Sequence, residues 1–270
     1  MWIDTHCHLE ADEFAGREES IAAVAAQMDI RQIVIPSVDR SSFERVARLA
    51  HASGNCSYAL GIHPMYVAHG TENDLAELKR ILEQNISDPK LVAIGEIGLD
   101  FYIPELNQPP LKEKQEHFLS EQLKMATEFD LPVLLHTRRS VDRVLKYLRR
   151  HNVRSGIAHA FNGSFQQARA FIDQGFMLGF CGTSTYERAQ QLRKLVAELP
   201  EEAIVIETDS PDLPPVWLQK KENSPLELPR IGEIIADLRH ISPEALAHVT
   251  SRNAMKAIPR LVSLLGKDKC

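Results

Sequence analysis

Eight short runs of β-branched and apolar residues recur along the chain, each followed by a stretch with helical spacing, and this alternation constrains the fold more than any other feature. The runs are Trp2–Thr5, Gln32–Pro36, Tyr58–Ile62, Leu91–Gly95, Pro132–Leu135, Gly156–Ala158, Phe176–Phe180 and Ile204–Ile206. They lack polar alternation, so each reads as a strand buried on both faces, as in a parallel sheet. Helical patterns cover Ser42–Ala52, Asn73–Asn85, Leu111–Asp130, Ser140–His151, Ser164–Gln174, Glu187–Leu199, Pro229–Leu238 and Pro243–Leu265. In the clearest of them Phe118, Leu119, Gln122, Leu123, Ala126 and Phe129 fall near one face. Such alternation predicts a closed barrel or an open doubly wound sheet, and the pattern alone leaves both open.

Size and composition fit either. The 270 residues, 44% hydrophobic and 25% charged, match an ordinary globular protein, and (β/α)8 barrels cluster near this length. No low-complexity segment, short repeat or linker interrupts the chain, so residues 1–270 are expected to form a single domain. Cys7, Cys56, Cys181 and Cys270 are scattered without CxxC spacing, which points to a reducing compartment. The opening Met-Trp-Ile-Asp-Thr-His has neither a basic nor an apolar leader region, and no apolar run approaches the ~18 residues of a membrane span. A cytoplasmic protein with no membrane association and no obligate protein partner is expected. The formal net charge of −6 argues against a binder that holds long duplex by neutralising phosphates. It leaves room for an enzyme whose positive charge is concentrated in a metal site.

The polar residues that interrupt the pattern decide for the barrel. They fall at the ends of the runs: His6-Cys7-His8, Gly61-Ile62-His63-Pro64, Gly95-Glu96-Ile97-Gly98-Leu99-Asp100, His136, His159 and Glu207-Thr208-Asp209-Ser210-Pro211. In a (β/α)8 TIM barrel all strands run the same way, so these side chains ring one mouth. His6 and His8 lie two apart in an extended segment and point to one side, with Cys7 turned away into packing. Imidazoles suit zinc and related ions, and the carboxylates of Glu96 and Asp209 also suit magnesium or manganese. Six ligands are too many for one tetrahedral ion but suit two divalent ions, Mg2+, Mn2+ or Zn2+. The expected arrangement puts His6, His8 and Asp209 around one ion and His136 and His159 around the other, with Glu96 bridging. Two divalent ions, two carboxylates and a bridging hydroxide leave a net charge of about +1, enough to attract a phosphate. In that scheme the metals activate a water and Asp209 takes its proton as general base.

These blocks, together with Asp4-Thr5-His6-Cys7-His8-Leu9, Leu135-His136, His159-Ala160-Phe161 and Asn253-Ala254, resemble the TatD family of metal-dependent hydrolases. The resemblance spans nearly the whole chain. It implies a TIM barrel of the amidohydrolase-like superfamily, hydrolysis of ester bonds and, in characterised members, Mg2+-dependent deoxyribonuclease activity. The family's ligands fall on His6, His8, Glu96, His136, His159 and Asp209, and His63 carries over as a residue that contacts the substrate phosphate. Relatives that bridge their metals with a carboxylated lysine differ, because no lysine lies past Lys90 in the fourth and fifth runs. Asn162 departs from the serine of many family members.

DNA, as single strands or 3′ ends, is the expected partner. A basic cluster (Arg138, Arg139, Arg143, Lys146, Arg149, Arg150) follows His136. Arg138 is placed to clamp a phosphate, while the cations from Arg143 onward read as a solvated helix face. Phe101 and Tyr102 can stack on an unpaired base or pack at the rim. The segment from Asp212 to Pro229, with Trp217, Lys220 and Lys221, is expected to lie over the mouth and shape substrate choice. Two other readings use the same residues: a hydrolase of a small ester, amide or phosphate, and a non-catalytic metal-dependent binding protein.

Overall fold

The computed structural model of the chain describes residues 1–266, so Cys270 lies outside the described residues. Eight parallel strands, β1 (Trp2–Asp4), β2 (Ile30–Pro36), β3 (Cys56–Leu60), β4 (Leu91–Asp100), β5 (Val133–Arg138), β6 (Gly156–Ala158), β7 (Phe176–Phe180) and β8 (Ile204–Ile206), pair in sequence order. Backbone bonds from Thr5 N to Ile206 O (3.3 Å) and from Asp209 N to His6 O (2.8 Å) join the last strand to the first. The result is a (β/α)8 barrel.

The helices that follow the strands are α1 (Glu18–Gln27), α2 (Phe43–Ala52), α3 (Glu72–Asn85), α4 (Leu111–Phe129), α5 (Val141–His151), α6 (Phe165–Asp173), α7 (Gln190–Glu198) and α8 (Leu228–Arg239), with α9 (Pro243–Ala257) and α10 (Leu261–Leu265) at the end. Two cores result. One lies between the strands and the outer helices; the other joins Ile3, Val34, Ala59, Leu134, Ile157 and Val205 of the strands to Ala254, Ile258 and Leu261. The second core places α9 and α10 across the N-terminal end of the barrel. Arg260 fixes them there by donating to the carbonyls of Asp88 (3.2 Å) and Leu91 (2.8 Å).

Beyond shifts of a few residues at strand ends, such as β3 at Cys56–Leu60 rather than Tyr58–Ile62, the structure differs from the sequence reading in three places. Helix α1 has no counterpart in that reading, because its buried positions are only Ala22 and Ala25 and alanine gives a weak apolar stripe. The last helical stretch is two helices, interrupted where Pro259 lacks the N–H needed to continue the first. Strand β4 runs on to Asp100, paired with β5 as far as Asp100 opposite Arg138. Glu96 and His136 are therefore inside strands rather than just after them. No described helix is long and apolar enough to cross a membrane.

A candidate metal centre at the barrel mouth

At the C-terminal end of the strands a cavity of about 1750 Å³ opens to solvent, with His8, His63, Glu96, His136, His159 and Asp209 on its wall. His6 lies beneath them, fully buried. The structure thus brings together all six residues expected as ligands, and His63 as well. Asp209 stands in the left-handed region (φ 54°), a conformation that aspartate tolerates better than most residues.

Glu96 is the centre of the arrangement. Its Oε2 lies 3.0 Å from His6 Nε2 and 3.3 Å from His8 Nε2. Its Oε1 lies 3.0 Å from His136 Nδ1, 3.1 Å from His159 Nε2 and 3.3 Å from His63 Nε2. One carboxylate therefore addresses a first set, His6 and His8, with one oxygen and a second, His136, His159 and His63, with the other. His159, stacked on His6 with ring centroids 3.9 Å apart, also groups with His6 and Glu96 closely enough to share an ion. Asp209 Oδ1 completes the first set at 3.6 Å from His6 Nε2 and 3.8 Å from His8 Nε2. An ion with four ligands at about 2.0–2.1 Å has donor–donor edges of about 3.3 Å. The observed spacings of 3.0–3.8 Å bracket that value, so the first set fits a divalent cation.

Carboxylates behind the rings turn these nitrogens inward. Glu10 Oε1 lies 3.1 Å from His8 Nδ1 and Asp100 Oδ2 3.1 Å from His136 Nε2, both hydrogen-bonded, while Glu207 Oε1 stands 3.4 Å from His159 Nδ1 as an ionic neighbour without hydrogen-bond geometry. A carboxylate that accepts from one ring nitrogen leaves the other with a free lone pair aimed at the centre. Glu207 is itself held by Thr5 Oγ1 (3.1 Å) and by the backbone N–H of Ala160 (2.5 Å). Sequence reasoning gave these three acids no role. Asp100 and Glu207 stand inside the quoted motifs, but each meets its histidine across strands.

His63 differs from the others. Its Nδ1 accepts the backbone N–H of Met65 at 3.1 Å, so the neutral ring carries its proton on Nε2, facing Glu96. Burial first, and then the charge of His136, push this imidazole down to about 4, which keeps it neutral near pH 7. Geometrically His63 also groups with Glu96 and His136 as a possible metal triad. The bond from Met65 argues against that grouping, because a nitrogen that bears a proton has no lone pair for an ion.

The charges of the cluster are coupled. Against the pull of burial, Glu10 and Glu96 hold His8 well above its usual value, Glu96 and Asp209 do the same for His159, and Asp100 raises His136. An ion bound here would displace protons from these rings. Burial would raise the Glu96 carboxyl, but His63, His159 and His6 around it hold it well below its usual range. Burial, helped by His159, pushes His6 down to about 4. Asp209 is pushed up to about 6, chiefly by burial. His6 Nδ1 is buried without a hydrogen-bond partner, so its bound orientation rests on what Nε2 meets.

Two glutamines of α4 brace the loops that carry the site. Gln122 accepts from Ile62 N (2.7 Å) and donates to Ile62 O (3.1 Å), next to His63. Gln115 accepts from Asp100 N (2.8 Å) and donates to Asp100 O (3.2 Å). Cys7 is fully buried against Ser210 (3.1 Å), turned away from the cluster. Lys90 sits at the far end of β4, where its amino group donates to Ser53 O (2.7 Å) and Cys56 O (3.2 Å). Among the described residues no lysine lines the mouth to compete with Glu96.

The rim corrects two expectations. Of the segment from Asp212 to Pro229, only Asp212 and Leu213 line the mouth; Trp217 instead donates to Glu227 (2.7 Å) and stacks with Arg230 (4.1 Å). A tryptophan satisfied by its own segment has no need to reach over the barrel. Arg143 is held in a fork by Glu116 (2.8 and 2.7 Å) rather than simply solvated. Arg138 is exposed at the rim, 3.9 Å from Asp100.

A parallel barrel with buried imidazoles and carboxylates converging at its C-terminal mouth defines a class: metal-dependent hydrolases built on a TIM barrel. Residues 3–259 match the profile of the family described as TatD related DNase, and the chain belongs to that family. It is 38% identical over 253 residues to YjjV of Escherichia coli (strain K12), an uncharacterized metal-dependent hydrolase, covering 93% of this chain and 95% of that one. A Mus musculus relative whose name, TATDN3, carries a provisional deoxyribonuclease assignment is 31% identical, covering 98% of this chain and 91% of its own. The crystal structure of the E. coli K12 protein YJJV, a TatD homolog, superposes with a TM-score of 0.90 at 37% identity, covering 96% and 98% of the two chains. An organophosphorus hydrolase variant from Deinococcus radiodurans shares the fold at 14% identity and a TM-score of 0.65. The chain is thus a metal-dependent hydrolase of the TatD family.

Proposed function

We propose that this protein is a divalent-metal-dependent phosphodiesterase that acts on DNA, with single strands or 3′ ends as its substrate. The observation that carries this reading is the division of Glu96, with Oε2 toward His6 and His8 and Oε1 toward His136 and His159. Two sets joined by one carboxylate suit two divalent ions, Mg2+, Mn2+ or Zn2+, held by His6, His8, Glu96, His136, His159 and Asp209. Bound ions supply Lewis acidity, lowering the pKa of water and offsetting charge on the phosphoryl oxygens.

The protein's own groups do the rest. Asp209 faces the cavity beside His6 and His8, where its carboxylate orients the attacking water and accepts its proton. His63 presents Nε2–H to the same space and donates to a phosphoryl oxygen, a contact that strengthens as charge builds there. Arg138 adds a guanidinium at the rim. Tyr66 lines the mouth with 44% of its surface exposed, the kind of face on which an unpaired base stacks. Duplex bases, already stacked on each other, gain nothing from such rings.

Substrate choice is tested by assaying metal-loaded protein on a labelled single-stranded oligonucleotide, its duplex, and a panel of small phosphate, carboxylate and amide substrates. Preference for the single strand by kcat/KM supports the proposal. Turnover confined to a small ester or amide replaces it with a metabolite hydrolase.

A further inference from the structure

Tyr102, Arg138 and Arg139 form a second feature of the mouth, outside the cluster around Glu96. The Arg138 guanidinium lies 3.8 Å from the Tyr102 ring centroid and that of Arg139 4.7 Å. Consecutive residues of an extended strand point to opposite sides, so two adjacent arginines would normally diverge. Arg139 is in the left-handed region (φ 56°), and that turn lets its side chain come back to the ring used by Arg138. A β-strand end would not adopt this conformation by default, and it costs backbone energy for a residue other than glycine.

These cations are uncommitted. Two other arginines of the rim are neutralised, Arg143 by Glu116 and Arg45 by Asp12 at 3.0 Å, while Arg188 stands apart over the Tyr186 ring at 5.2 Å. Among the described residues Arg139 makes no hydrogen bond or ion pair, and Arg138 has only the 3.9 Å approach to Asp100. Stacking holds a guanidinium by its face and leaves its N–H groups free in the ring plane, where they can grip a planar or tetrahedral anion. The opposite rim, formed by the loops after β1, β2 and β8, carries Asp39 and Asp212, besides Glu10 and Asp12, which are paired with His8 and Arg45. An anionic strand is therefore drawn to one side of the mouth.

The position of this pair relative to His136 decides which anion it meets. His136 turns Nδ1 toward Glu96 and Nε2 toward Asp100, and Arg138 lies beyond Asp100. The guanidinium is on the far side of the ring from the centre where a phosphoryl group would react. Asp100 Oδ1 also accepts the backbone N–H of Tyr102 (2.8 Å), fixing the platform to the same carboxylate.

We propose that Tyr102, Arg138 and Arg139 form a subsite for the phosphate next to the one being cleaved, so that the preferred substrate is an oligonucleotide rather than a single phosphate ester. This rests on the phosphodiesterase reading and adds a length requirement to it. The test uses metal-loaded protein, a simple aryl phosphodiester, and a short oligothymidylate in which single linkages are replaced by neutral methylphosphonate. In the wild type, neutralising the linkage adjacent to the cleaved one lowers kcat/KM by about ten- to a hundredfold. An Arg138→Gln/Arg139→Asn double variant, in which asparagine tolerates the left-handed turn, shows a similar loss on the all-phosphate oligomer. The methylphosphonate then causes no further loss, because both changes remove one interaction. Losses that multiply, or a wild type indifferent to the neutral linkage while still cleaving the oligomer, would overturn the subsite and leave the phosphodiesterase reading standing. Failure to cleave the aryl diester and the oligomer alike would overturn both.

Discussion

The carboxylate of Asp100 sits directly behind the ring of His136, Oδ2 to Nε2 at 3.1 Å, while the other nitrogen of that ring meets Glu96 at 3.0 Å. The ring is thereby fixed in both tautomer and direction. Asp100→Asn retains the shape but removes the charge, and is expected to weaken divalent-ion affinity about 10- to 100-fold. Titration calorimetry of chelator-treated protein measures this. Unchanged affinity and stoichiometry would show that Asp100 only braces its own loop.

Gly179 in β7 matters for a related reason. A Cβ there would come within 2.4 Å of the Glu207 carboxylate, which backs His159. Gly179→Ala is expected to displace Glu207 and lower metal affinity without touching any proposed ligand. The same titration checks it, with circular dichroism to establish that the barrel remains folded. Wild-type affinity in a folded variant would mean that Glu207 does not set the orientation of His159.

His63 separates binding from chemistry. With its Nδ1 occupied by the Met65 N–H, it serves as a donor rather than a ligand. His63→Ala is expected to bind as many ions as the wild type by elemental analysis, yet to lose about 10²- to 10³-fold in kcat on a phosphodiester. Loss of an ion instead would make His63 a ligand beside Glu96 and His136.

Stability near the site depends on Gln122. Its amide bonds both backbone groups of Ile62 in a fully buried position. Gln122→Leu keeps the volume but strands an N–H and a C=O, each costing about 1–3 kcal/mol. Urea unfolding should show that loss as a lower midpoint with an unchanged slope. A midpoint within error of wild type would mean that the loop finds other partners.

Much of this was legible in the sequence, because buried parallel strands have a signature and polar residues at their ends stand out against it. Gly156–Ala158, Phe176–Phe180 and Ile204–Ile206 are strands over the same residues in the structure. The continuation of β4 through Glu96 to Asp100 was hidden, since glycines and acids read as loop until neighbouring histidines satisfy them. Glu207 and Asp100 stood in view, but the rings they support are 48 and 36 positions away, and no local pattern links them. Glu10 was nearer the surface of the sequence, two residues past His8, where an acid behind a histidine is a readable signal. The pairing of Arg138 and Arg139 over one ring was out of reach, because it depends on a single left-handed residue.

The most direct test is cleavage of an end-labelled single-stranded oligonucleotide by chelator-treated protein, with Mg2+, Mn2+ and Zn2+ added back separately and Asp209→Asn as control. Cleavage that is absent without metal, restored by at least one ion and lost in the variant even when excess ion is supplied is the expected result. Cleavage that survives in Asp209→Asn, or no cleavage by wild-type protein shown to hold its ions, would contradict a metal-dependent nuclease that uses Asp209.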